Sequence, residues 1–210
     1  MMTEQRSLPD FLEALGSNAP APGGGAASAL AGALAAALAE MVANFTVGRP
    51  RFQDVEETMR AAVEQTRQVR GELLALIDED ERAYQAVATA YRLPKATDDE
   101  QAARDAAIQV ALHGAMRPPL RVMELSCRAV DLAAEMAAAG NPTVVSDAGC
   151  AALLGEAAVR AAALNVLANV VLLHDQDAAS QARMSVAQLE ERAAATREHT
   201  MAAVHARMGI

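Results

Sequence analysis

The chain has 210 residues, a net charge of −9, 52% hydrophobic residues and only 2% aromatics. That length fits one domain with a substantial core. The acidic balance argues against nonspecific binding to nucleic acid or an anionic membrane, which need clustered Lys and Arg. Cys127 and Cys150 are too few for a disulfide framework or a zinc site, and they read as small buried hydrophobes in a reducing compartment. Met1-Met2-Thr3-Glu4-Gln5-Arg6 lacks the basic start and apolar core of a signal peptide, so a cytoplasmic protein is expected.

Ser7-Leu8-Pro9-Asp10 has the form of an N-cap and an early-turn proline, opening a short helix that ends at Gly16. Ala21-Pro22-Gly23-Gly24-Gly25 then leads into an alanine-rich run, predicting a helix over about 25–46. A glycine loop at a helix start presents unpaired N–H groups to a carboxylate, a phosphate or a heterocycle edge; it serves equally as a hinge. No Lys-Ser/Thr ending follows, so a phosphate-binding P-loop is not indicated. Glu40 ends the uncharged run short of the roughly 20 residues a membrane span needs. The turn Gly48-Arg49-Pro50-Arg51 carries two cations, either as helix C-terminal charges or as a grip on an anionic tail.

The third predicted helix, about 53–91, has an apolar stripe through Val55, Met59, Val63, Val69, Leu73, Leu76, Ile77, Tyr84 and Val87. Position 80 falls on that stripe and holds Asp80, while Asp78 and Glu81 fall off it toward water. A carboxylate on an apolar seam must be paired, hydrogen-bonded or protonated, which makes Asp80 either a structural cap or an acid/base group. Thr97-Asp98-Asp99-Glu100 is a capping box opening a fourth helix that runs toward Gly140, with a kink or break expected at Pro118-Pro119. Gly140-Asn141-Pro142 stops it, and Ser146-Asp147 reads as the N-cap of a fifth helix, about 147–173. There Asn165 and Asn169 share one face at i,i+4 and need partners, while Glu156 and Arg160 can pair. A last charged helix is expected over about 185–208. The four histidines are scattered and no metal is assigned. No linker divides the chain, so residues 1–210 read as a single all-α bundle.

Collected together, these residues resemble the cyclodeaminase/cyclohydrolase family of folate enzymes. The likeness is carried by Pro22-Gly23-Gly24-Gly25, Ala29-Leu30-Ala31-Gly32-Ala33-Leu34, Met41-Val42-Ala43-Asn44, Asp78-Glu79-Asp80, Leu93-Pro94-Lys95, Gly140-Asn141, Val145-Ser146-Asp147-Ala148-Gly149 and Ala163-Leu164-Asn165-Val166 with Asn169. It covers about residues 5–176. The resemblance implies an antiparallel bundle of long helices that dimerises and binds tetrahydrofolate derivatives, with no cofactor or metal beyond that substrate. Two activities are implied: hydrolysis of methenyltetrahydrofolate to 10-formyltetrahydrofolate, and cyclisation of formiminotetrahydrofolate with release of ammonia. The stand-alone length resembles the cyclohydrolase branch. Departures from the family pattern are Ala26 in place of a serine, the Arg49/Arg51 turn in place of a lysine-rich one, and Val170-Val171 where relatives often place a cation. A catalytically silent folate-binding bundle is the competing expectation.

On this reading Asp80 and Asp147 are the catalytic candidates. Gly23, Gly24, Gly25, Lys95, Asn141, Ser146, Asn165 and Asn169 are the substrate-binding ones, with Arg49 and Arg51 as weaker candidates for the glutamate tail.

Overall fold

The computed structural model describes residues 6–210, so Met1–Gln5, part of the stretch read against a signal peptide, lies outside the described residues. Six α-helices follow one another: α1 (Leu8–Leu15), α2 (Gly24–Asn44), α3 (Glu56–Tyr91), α4 (Asp98–Ala139), α5 (Val145–Val170) and α6 (Gln176–Met208). Short 3₁₀ turns, Pro50–Val55 and Pro142–Val144, lie between α2 and α3 and between α4 and α5. No strand occurs among the described residues.

Local chemistry sets most helix starts. Ser7 Oγ accepts from the Asp10 N–H at 3.3 Å, with Pro9 in the first turn of α1. Both bonds of the Thr97–Glu100 capping box are made at the start of α4. The start of α2 differs: its N-cap is Gly23, which has no side chain to offer, so its exposed N–H groups need a partner from another helix.

Short turns oblige successive long helices to run antiparallel. Asn141, after α4, donates its N–H to Thr46 Oγ1 at the end of α2, at 2.9 Å. Arg207 near the end of α6 reaches the carbonyls of Ala137 and Gly140 at 2.7 and 2.6 Å. At the other end Gln109, early in α4, bonds Leu172 O and the His174 N–H beyond α5, at 3.1 and 2.8 Å. One end of the bundle therefore gathers the start of α2, the second half of α3, the first half of α4 and the close of α5. Small residues let these helices close up: a β-carbon on Gly32 would crowd Ser126 Oγ and Leu73, and one on Gly155 would crowd Val130. Met59, Leu73, Ile77, Leu112, Met123, Leu132 and Met136 fill the centre. Burying each such side chain contributes about 1.5–3 kcal/mol relative to leaving it in water. Glu40, which ends the apolar run of α2, pairs with Arg67 and Arg70 on α3 at 2.9 and 3.1 Å. Glu156, buried on α5, holds Arg160 at 3.5 Å and Arg197 on α6 at 3.2 Å.

Several expectations are corrected. α4 runs unbroken through Pro118 and Pro119, both of which are buried, so burial in the bundle holds the helix across them. Asn141 caps the 3₁₀ turn, its Oδ1 accepting from the Thr143 N–H at 3.1 Å. α5 accordingly begins at Val145 and places Ser146 and Asp147 inside its first turn, not at its cap. α6 begins at Gln176, not near 185, because Asp175 accepts from the Ala178 N–H at 2.9 Å. Cys127 is buried as expected, but Cys150 is exposed. Glu81 does not simply face water; it pairs with Arg6 at 3.1 Å.

Two segments, Gly24–Asn44 and Pro142–Val170, are long and apolar enough to cross a membrane by length and composition. Here both are core helices. Their outward faces remain apolar, with Leu34 and Phe45 on or beside α2 and Leu153 and Leu164 on α5 exposed, Leu164 by 70%.

Candidate active site

The uncapped start of α2 meets α3 at Asp80. The Ala26 N–H donates to the Asp80 carboxylate, so this side chain supplies the cap that Gly23 cannot. A β-carbon on Gly25 would overlap Oδ1, Cγ and Oδ2 of Asp80, so glycine at this position is what admits the carboxylate. Gly24 faces the Asn165 carboxamide, its missing β-carbon lying 3.4 Å from Oδ1. Gly23 meets nothing at that range.

Asp80 is half-buried, and burial pushes its carboxyl above the usual carboxylate range. The Ala26 N–H opposes that shift and the neighbouring Glu81 charge adds to it. No Arg or Lys forms an ion pair with it among the described residues. The result is a carboxylate anchored by one backbone donor and lacking a cation.

Asp80 opens into a cleft of about 390 Å³ between α2, α3, α4 and α5. Gly23, Gly24, Gly25, Asn165 and Asn169 line it with Asp80, and Tyr84, Val87, Leu112, Ala115 and Leu172 complete much of the wall. Apolar walls with a few convergent polar groups are the usual form of a small-molecule site. Asn165 Nδ2 donates to Ala161 O at 2.9 Å, and Asn169 Nδ2 to Asn165 O at 2.9 Å and Ala115 O at 3.4 Å. Two larger open grooves, of about 710 and 660 Å³, are lined in part by α4 and hold none of the candidate catalytic or substrate-binding residues.

Six of the residues nominated from the sequence thus converge: Gly23, Gly24, Gly25, Asp80, Asn165 and Asn169. The others stand apart within one protomer. Ser146 and Asp147 begin α5, and 18 residues of helix, about 27 Å, separate Asp147 from Asn165. Asn141 lies at that same far end, with its Nδ2 donating to Phe45 O at 3.1 Å. Arg49 and Arg51 are there too, Arg51 stacked over the Phe52 ring at 4.9 Å. Lys95 is exposed in the turn at the tip of the α3–α4 pair, beyond the cleft.

Tyr84 is a cleft residue that pattern reading assigned to the core. It is 46% exposed, since the stripe of α3 is covered as far as Ile77 and then forms the cleft wall. The change from aliphatic to tyrosine along the stripe is the signal that marks it. No group of three or more His, Cys, Asp or Glu side chains that could hold a metal occurs among the described residues.

The family model described as "Formiminotransferase-cyclodeaminase" matches residues 7–188, most of the chain and every wall of the cleft. The chain belongs to that family. Among its relatives is a methenyltetrahydrofolate cyclohydrolase of Methylorubrum extorquens, 42% identical over 175 residues, which are 83% of this chain and 84% of that one. A formimidoyltransferase-cyclodeaminase of Rattus norvegicus is 34% identical over 187 residues, 89% of this chain but 35% of the larger rat protein. The crystal structure of a formiminotetrahydrofolate cyclodeaminase from Thermotoga maritima superposes with a TM-score of 0.87 at 29% identity, covering 97% of this chain and 98% of that one. This family member therefore matches a cyclohydrolase over more than four fifths of both chains and a cyclodeaminase in fold.

Proposed function

We propose that the chain is a folate one-carbon enzyme, a methenyltetrahydrofolate cyclohydrolase that converts 5,10-methenyltetrahydrofolate to 10-formyltetrahydrofolate. The observation that carries this reading is Asp80, a half-buried carboxylate with no cationic partner among the described residues, in a cleft of apolar walls and amides. The substrate supplies the missing cation, its amidinium carbon between N5 and N10. The 42% identical relative of similar length supports the hydrolase over the cyclodeaminase.

In the proposed reaction, water forms a C–O bond to the amidinium carbon and its proton passes to Asp80, leaving a neutral tetrahedral adduct. Asp80 then returns that proton to N5 as the C–N5 bond breaks. The adduct's hydroxyl proton leaves to solvent as the formyl C=O forms, so one proton is released overall. Held beside the cation, Asp80 stabilises it before attack and serves as base and then acid. Asn165 and Asn169 position the pterin, and Gly23–Gly25 let the ring approach the α2 backbone.

Formiminotetrahydrofolate cyclodeaminase is the second reading. The Thermotoga structure and the rat relative favour it, and the same Asp80 in acid form would protonate departing ammonia. The exposed apolar face of α2 and α5 supports a homodimer, and a cytoplasmic location completes the proposal. One assay separates the readings: the methenyl chromophore and ammonia are followed with each substrate in turn. Chromophore loss from methenyltetrahydrofolate with no ammonia from formiminotetrahydrofolate is expected. Ammonia release alone would make it a deaminase, and binding without turnover of either would make it a silent folate binder.

A further inference from the structure

Pro118 and Pro119 isolate one carbonyl of α4. In a helix the carbonyl of Ala115 would accept from the N–H of residue 119, or in a tighter turn from residue 118. Both are prolines and have no N–H. Ala115 is buried, so its carbonyl requires a donor from elsewhere. That donor is Nδ2 of Asn169 across on α5, at 3.4 Å.

The second hydrogen of the same Nδ2 goes to Asn165 O at 2.9 Å. Turning the carboxamide over would set Oδ1 against two carbonyl oxygens, so the orientation is dictated by the backbone. Asn165 is held by one such bond, its Nδ2 donating to Ala161 O at 2.9 Å. Asn169 thus spends both its donors on carbonyls and Asn165 one of its two, which leaves each Oδ1 as an acceptor, and one Asn165 N–H as a donor, for the cleft they line. With the Asp80 carboxylate, three side-chain acceptors line the cleft, against the second Asn165 N–H and the Tyr84 hydroxyl as donors.

We propose that the cleft selects its ligand by a donor edge, taking the 2-amino and ring N–H groups of a reduced pterin on Asn165 Oδ1 and Asn169 Oδ1. Pro119 is the positioning residue that holds Asn169 in that orientation. This rests on the folate reading above and deepens it. The mid-helix proline, which costs a free helix about 3 kcal/mol, is retained on this account because it leaves a carbonyl open for a binding-site amide.

Two measurements test the proposal. The first uses the unaltered protein with methenyltetrahydrofolate and its 2-desamino-2-methyl analogue, which keeps the reacting carbon and loses the amino donor. KM for the analogue is expected to rise about tenfold or more, since a site built to bind a donor rejects a ligand without it. KM within twofold of the parent would overturn the inference and leave the functional reading standing. Failure to hydrolyse the parent as well would overturn both.

The second measurement is Pro119→Ala, which gives Ala115 its helical N–H. KM for methenyltetrahydrofolate is expected to rise about fivefold, the scale of one hydrogen bond, with kcat changed much less. The same substitution placed on an Asn169→Ala background should change KM little. A purely structural proline would shift thermal stability and leave KM unmoved, or would shift KM equally in both backgrounds; either result overturns the positioning role.

Discussion

A β-carbon on Gly25 would occupy the space held by the Asp80 carboxylate, so a single methyl group should disconnect the start of α2 from the proposed base. Gly25→Ala is expected to lower kcat/KM about 10²-fold or more while far-ultraviolet circular dichroism stays helical, because alanine favours a helix and the damage falls on Asp80. The raised pKa of Asp80 gives a second prediction. Its base form is needed for attack, so kcat/KM should fall on acidification with an apparent pKa above about 3.9, the ordinary aspartate value. The sign for stability is opposite to that of a salt-bridged aspartate. Because the folded pKa lies above the unfolded one, the stability this group contributes is present below the unfolded value and lost as pH rises through the folded value. Asp80→Asn should therefore keep or raise the melting temperature at neutral pH, and its carbonyl can still accept from Ala26. A lowered melting temperature at neutral pH would contradict the shift. Asp80 was legible from the sequence because a carboxylate interrupted an apolar stripe. Its tie to Gly25 was not, since it depends on how close two helices approach, which spacing does not encode.

At the scale of elements, the glycine loop, the third helix and the Thr97 capping box are readable from the chain because each is set by local chemistry. α4 is the instructive exception. Two prolines in sequence read as a kink or break, yet the helix continues, because both rings are buried and a side chain from α5 answers the stranded Ala115 carbonyl. The early start of α6 has a local cause, the Asp175 cap, hidden in the sequence by the charged residues around it. The family motifs in the chain divide into two sets at opposite ends of α5. Asn165 and Asn169 lie in the cleft, whereas Ser146 and Asp147 lie about 27 Å away. A motif list gives residues in order and not the end of a helix to which each belongs, so the second set came attached to the site by resemblance alone.

Across the whole molecule, the outward faces of α2 and α5 leave Leu34, Leu153 and Leu164 in water, and Val171 just past α5 is 69% exposed. Helices this apolar on their outward side call for a partner surface, and a second copy of the chain is the proposed one. Leu164→Glu, at the most exposed leucine of that face, is expected to convert a dimer to a monomer by light scattering without loss of helicity. An unaltered mass at micromolar concentration would place the contact elsewhere.

The central claim is that Asp80, admitted by Gly25 and without an ion-pair partner among the described residues, acts as the base in methenyltetrahydrofolate hydrolysis. Single-turnover loss of the methenyl chromophore with Asp80→Asn against the unaltered protein tests it most directly. The account predicts a fall of about 10²–10⁴-fold in the chemical step. A rate within about threefold of the unaltered protein would contradict it, since a true general base contributes far more than that.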